Sequence, residues 1–198
     1  MLIRRLVASV CFVSALSAAS ASAAPILFID PANTIVNVND PVVLNIKIGT
    51  VVDLFSFSFD LLFDQTKLSF QSITEGAFLT SGGDLTFFIA GTVFPPGSGT
   101  VSGTGNVVFG PGVSGSGTLA IATFLAQAAG TSSISFQDPV FVDSTGAIIA
   151  FDPNDIKSGS VQVNPSTTVV PEPSTMILLG SGLVLAARRR LRRPSKPA

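Results

Sequence analysis

The chain has 198 residues, 46% of them apolar, and its sixteen phenylalanines carry the whole aromatic load because tryptophan and tyrosine are absent. It has no histidine and a single cysteine, Cys11, which excludes Ser/His and Cys/His nucleophilic catalysis as normally built, histidine- or thiolate-bound zinc, and an internal disulfide. The formal charge of −1 hides a split: basic residues crowd the two ends, while between Ala24 and Val170 three lysines face eleven acids for a net −8, a surface that repels nucleic-acid phosphates and anionic lipid.

In chain order, the first feature is a targeting segment. Arg4 and Arg5 form a positive start, Leu6 to Leu16 an apolar stretch, and Ala21-Ser22-Ala23 the small residues a signal peptidase cuts after. The expectation is a signal peptide over 1–23, removed before Ala24; cutting one residue later would set Pro25 directly after the scissile bond. Ala24 to Val170 is then about 147 residues, enough for one domain with a real core.

That domain reads as strand after strand with almost no helical periodicity. Val42, Leu44, Ile46 and Ile48 alternate with other residues, and Phe55, Phe57, Phe59 and Leu61 alternate with Ser56, Ser58 and Asp60. Leu68 and Phe70, Leu119 and Ile121, Ile134 and Phe136, Val140 and Val142, Ile148 and Ala150, and Val161 and Val163 mark further short strands. Turn chemistry separates them at Asn39-Asp40-Pro41, Asp64-Gln65-Thr66-Lys67, Ser81-Gly82-Gly83-Asp84 and Asp143-Ser144-Thr145-Gly146. The Gly/Pro/Ser/Thr-rich stretch from Phe94 to Gly117 reads as a loop around one weak strand, Asn106–Phe109. About nine short strands without crossover helices predict an all-β, antiparallel sandwich over residues 24–163. Residues 164–170 read as an extended linker.

The tail, 171–198, has three parts: Pro171-Glu172-Pro173, the apolar run Met176–Ala187, and a basic cluster of Arg188, Arg189, Arg190, Arg192 and Arg193. Twelve apolar residues cover about 18 Å as a helix against a hydrocarbon core of about 30 Å. The run therefore predicts a marginal membrane helix for transient insertion, its arginines held on the cytoplasmic side as a membrane stop.

This three-part order, with Gly180 and Gly182 inside the apolar run, resembles the PEP-CTERM sorting signal of exopolysaccharide-producing Gram-negative bacteria. The resemblance implies a membrane-embedded exosortase that recognises and cuts the tail, with Pro171, Glu172 and Pro173 as recognition residues on the substrate side. It further implies passage through the inner membrane to the cell surface or its matrix. The stretch Phe57-Ser-Phe-Asp-Leu-Leu-Phe-Asp-Gln-Thr-Lys-Leu-Ser-Phe70, followed later by Gly117–Phe124, Gly130-Thr131, Ile134-Ser-Phe136 and Gly159–Val163, resembles the strand grammar of cohesin-type domains. That resemblance implies a nine-stranded jelly roll related to carbohydrate-binding modules. No residue here singles out a dockerin partner.

Three chemistries remain to be weighed. Asp60, Asp64 and Glu75 could supply paired carboxylates for glycoside hydrolysis, but Asp64 before Gln65-Thr66 suits an Asx turn and Asp60 lies on the polar side of a strand. Asp152, Asn154 and Asp155 share a loop, and Asp138 and Asp143 bracket a strand, so hard oxygen ligands for Ca²⁺ are conceivable. Their spacing fits no EF-hand, and solvated turn acids with no bound metal are the expectation. Phe87, Phe88 and Phe94 could line a loop cleft, although core or edge packing is the simpler assignment, and sugar platforms normally use Trp or Tyr. The sequence thus points to an exported, non-enzymatic surface or matrix protein without cofactor. Its processing partners are signal peptidase and exosortase, and exopolysaccharide or a matrix protein is its ligand. The alternatives are a recognition module with a specific carbohydrate or protein ligand and, behind it, a carboxylate glycosidase.

Overall fold

The computed structural model describes residues 24–166, 178–185 and 188. The first block is a two-layer β-sandwich. The organising element is β3, Pro41–Leu62, a single strand of 22 residues that serves both layers. Its first half lies between β1 (Ile26–Asp30) and β8 (Val113–Ala126), and β8 in turn pairs with the edge strand β4 (Leu68–Glu75). Its second half lies between β7 (Thr100–Val108) and β9 (Gly130–Asp143), with the short strands β5 (Thr86–Ile89) and β6 (Thr92–Val93) on the far side of β7.

The passage between layers explains why the sequence reads as two strands. Val42, Leu44, Ile46 and Ile48 point inward from even positions, whereas Phe57, Phe59 and Leu61 point inward from odd ones. Register irregularities between Ile48 and Val51 and between Val51 and Leu54 change the parity, with Thr50 and Asp53 at positive φ. Ser116 Oγ accepts from Thr50 N and Ser114 Oγ from Asp53 N, each at 2.9 Å, so β8 side chains take over the ladder where the corner breaks it. Gly112 fits this corner because a Cβ there would lie 2.2 Å from Asp53 Oδ1.

The antiparallel pattern holds except at two places. β1 runs parallel to β10 (Ile156–Lys157), and β2 (Asn33–Asn37) runs parallel to β11 (Gly159–Asn164), which pairs antiparallel with the start of β9. The first and last stretches of the domain thus close on each other. Between the layers lie Leu27, Leu44, Ile46, Leu54, Phe57, Phe59, Leu68, Phe124 and Phe141, all buried. Several of the rings touch: Phe57 stacks on Phe59 at 5.7 Å, and Phe124 meets Phe63 at 5.1 Å and Phe70 at 5.7 Å.

Three expectations are corrected. The Gly-rich tract is no loop: β7 and the first half of β8 run through it, with Thr104 and Asn106 buried. Small residues conceal its alternation, and β3 supplies the backbone partners that make it a strand. A four-residue helix, α1 (Ala77–Thr80), occupies part of a stretch read as all strand and turn, burying Phe78 and Leu79. Ile148 and Ala150 form no strand; Ile148 makes a lone bridge to Val142 and is 74% exposed.

Residues 178–185 and Arg188 are helical and exposed. No helix among the described residues is long and apolar enough to cross a membrane.

Candidate functional site

The outer face of the β5-β7-β3-β9 layer is built by strand alternation. In β5 Phe88 packs against the core while Phe87 and Ile89 point away from it, as Leu85 does just before the strand. Across the ladders one row reads Phe87, Val107, Ser56, Val142, and the next Ile89, Gly105, Ser58, Val140. The backbone bond from Phe109 N to Leu85 O, 2.8 Å, adds a third pair at the β5 side. Leu85 is 80%, Phe109 66%, Phe87 57% and Ile89 51% exposed. Serine and glycine in the middle keep the surface flat, and four large apolar side chains rise along one flank. Leu85, Phe87, Ile89 and Phe109 thus form the exposed apolar flank of this face. β5 itself pairs only with β7 among the described residues, so its outer edge is open.

Core or edge packing thus holds for Phe88 but not for Phe87, nor for Phe94, which is 66% exposed in the turn after β6. The sequence offered no signal for this, because both faces of Leu85-Thr86-Phe87-Phe88-Ile89 carry apolar residues.

The candidate hydrolytic acids are tied to separate structural tasks. Asp60 Oδ1 accepts from Gly103 N at 2.9 Å. Asp64 Oδ1 accepts from Thr66 N at 2.8 Å and Thr66 Oγ1 at 2.6 Å, the expected Asx turn. The Thr66 hydroxyl, then its backbone N–H, holds the Asp64 carboxyl below the ordinary carboxylate range, opposite to what a glycosidase acid needs. Glu75 Oε1 accepts from Thr86 Oγ1 at 2.6 Å and Asn106 Nδ2 at 2.7 Å, joining β4 of one layer to β5 and β7 of the other.

The calcium candidates Asp143, Asp152, Asn154 and Asp155 serve turns, and Asp138 lies within β9. Asp152 Oδ1 accepts from Asn154 N at 2.8 Å and Asn154 Nδ2 at 2.9 Å, capping the 3₁₀ turn Pro153–Asp155, while Lys157 Nζ donates to the Asn154 carbonyl. Asp143 Oδ1 accepts from Thr145 Oγ1, Thr145 N and Ala147 N, and the Thr145 hydroxyl is the largest of several causes lowering its pKa. Among the described residues no three carboxylates, histidines or cysteines are grouped to hold a metal ion.

Of the sorting and cleavage residues, Ala24 is exposed, its carbonyl accepting from Thr50 Oγ1 at 2.9 Å, and Arg188 is helical and exposed. Ala21, Ala23, Pro171, Glu172, Pro173, Arg189, Arg190, Arg192 and Arg193 lie outside the described residues.

Two layers joined by one bent strand and closed by parallel pairing of β1 with β10 and of β2 with β11 define a cohesin-like fold. Similar solved structures include a non-cellulosomal cohesin from the archaeon Archaeoglobus fulgidus, at 13% identity and TM-score 0.56, covering 72% of this chain and 92% of that one. A Coh-OlpC-Doc435 cohesin–dockerin complex from Clostridium thermocellum gives 14% identity and TM-score 0.58, covering 72% and 94%. The sixth cohesin of Acetivibrio cellulolyticus scaffoldin B, solved with a Cel5 dockerin mutant, gives 19% identity and TM-score 0.54, covering 71% and 99%. These likenesses are of fold. Residues 169–193 match the PEP-CTERM protein-sorting motif, so the sandwich carries a sorting signal at its C-terminal end. No curated protein matches the chain in sequence.

Proposed function

We propose that this chain is an exported, non-enzymatic binding module, delivered by its tail to the cell surface or extracellular matrix and associated there with exopolysaccharide. The observation that carries the reading is the sorting motif at 169–193 placed after a β-sandwich. In this reading signal peptidase cuts before Ala24. The apolar run parks in the inner membrane with its arginines cytoplasmic, and an exosortase cuts the tail by way of Pro171, Glu172 and Pro173. Intact-mass measurement on protein recovered from an exosortase-bearing host tests it: the expected species begins at Ala24 and lacks the arginine cluster. A chain that keeps both ends, or that stays in the cytosol, would refute it.

A second reading, recognition of a protein partner, is favoured by the exposed row Leu85, Phe87, Ile89 and Phe109. Two of the three similar structures named above contain dockerins, and the exposed apolar flank here is a surface of suitable kind. Pull-down from matrix extract with wild type and with Phe87→Ser/Ile89→Ser tests it: a partner that depends on the apolar row is retained only by wild type.

A further inference from the structure

A second feature lies where the layers part, between edge strand β4 and the β6 region. A cleft of about 200 Å³ opens there. Its apolar lining is Phe63, Leu68, Phe70 and Val93, and its polar lining is Gln65, Ser69 and Gln127. Phe63 and Phe70 both pack on the fully buried Phe124, so this side of the cleft is braced by a rigid aromatic trio. Register along β4 shifts between Phe70 and Ser72, an irregularity of the sort that re-aims side chains beside binding sites.

The polar groups are held in place. Gln65 Nε2 donates to the Gly97 carbonyl, clasping the 94–99 loop to the β3–β4 turn, and Gln127 Nε2 donates to the Gln65 carbonyl at 3.4 Å. Phe63 N donates to the Gly99 carbonyl at 2.8 Å, a close approach that Gly99 permits at φ +69°. With their amide nitrogens so used, Gln65 Oε1 and Gln127 Oε1 remain as acceptors. Ser69 Oγ accepts from Gln71 Nε2 at 3.2 Å and keeps its own hydroxyl proton to donate.

We infer that this cleft binds one neutral pyranose unit of a glycan. The volume falls below the roughly 300–1,000 Å³ of drug-sized pockets and corresponds to about seven waters, a space for a single ring rather than a folded peptide. No charged side chain lines it, so a uronate or an ammonium group would lose hydration without gaining an ion pair. The phenylalanines meet the C–H face of the ring, while the glutamine oxygens and the serine hydroxyl meet its equatorial hydroxyls. This site rests on the reading that the domain associates with exopolysaccharide, and it names where the contact is made.

The test is ligand-observed NMR on the full chain in a zwitterionic detergent, which carries no sugar headgroup, titrated with methyl hexopyranosides, neutral oligosaccharides and a uronate. Saturable binding of the neutral sugars alone is expected, weakened at least tenfold in Gln127→Ala and Ser69→Ala with unchanged melting temperature. Absence of saturable binding by the neutral sugars, equal binding by the variants, or preference for the uronate overturns the site. Sedimentation with matrix polysaccharide separates the two ideas. Wild type and variants that co-sediment equally leave the association standing and refute the cleft. Sugar binding lost in the variants, without co-sedimentation of wild type, supports the cleft and refutes the association.

Discussion

Phe124→Ala is the sharpest test of how the sandwich is held together. Phe124 projects from β8 into the core with none of its surface exposed, and its ring sits 5.1 Å from Phe63 and 5.7 Å from Phe70. Phe63 follows directly on the strand that changes layers and Phe70 comes from an edge strand, so this one ring ties β8 to the β3–β4 connection and to β4. Truncating a buried phenylalanine costs about 3–5 kcal/mol through lost transfer energy and the cavity left behind. Two paired rings keep Phe124 out of the lower part of that range, at about 4 kcal/mol. Against a typical domain stability of about 5–15 kcal/mol this is a large fraction, and it corresponds to a fall in melting temperature of about 8–16 °C. The chain has no tryptophan or tyrosine, so urea unfolding is followed by far-UV circular dichroism. The reasoning fails if Phe124→Ala costs under 1 kcal/mol, or if Phe87→Ala, on the exposed outer face, costs as much.

Four further outcomes follow from the same geometry. Gly76→Ala destabilises by about 1–3 kcal/mol in the same assay, because its Cβ would lie 2.2 Å from the Thr118 carbonyl oxygen and backbone cannot step aside cheaply. Lys47→Met changes stability by less than about 1 kcal/mol, since the Lys47–Asp30 pair, although only 2.5 Å apart, is 34% and 45% exposed and its attraction is screened. Stability declines in acid: Asp64 and Asp143 have folded pKa values below their unfolded ones, so their contribution is present above about pH 4 and is lost as pH falls through the folded values. Asp143→Asn flattens that acid limb in melts between pH 5 and pH 2, and an unchanged slope would count against the Thr145 hydrogen bonds. In the proposed export route the arginines act as the cytoplasmic stop, so deleting Arg188–Arg193 is expected to lower the amount of processed protein outside the cell by immunoblot of fractions.

The reach of the sequence was set by locality. Period-two alternation at Val42–Ile48 and Phe57–Leu61 disclosed strands and their buried faces, because a side chain's direction relative to its neighbours depends only on the pleat, whereas Phe55, beside the register shift between Leu54 and Ser56, stays outside the core. Asp64 and Asp143 disclosed their turns, because an Asx hydrogen bond closes within two residues. The sorting tail was legible for the same reason, its three chemical steps lying in linear order. Whether two alternating runs were two strands or one was a tertiary matter, decided at Thr50 and Asp53 by serines of β8 more than sixty residues away. So was the fate of the glycine-rich tract, which becomes strand only because β3 offers it hydrogen-bond partners. Phe87 and Phe88 are chemically identical neighbours, and only the placement of β5 at the edge of one layer sends the first to solvent and the second to the core. The cleft at Gln65 and Gln127 belongs to the same kind: the Gln127 side chain lies 62 positions along the chain from the Gln65 backbone carbonyl it reaches.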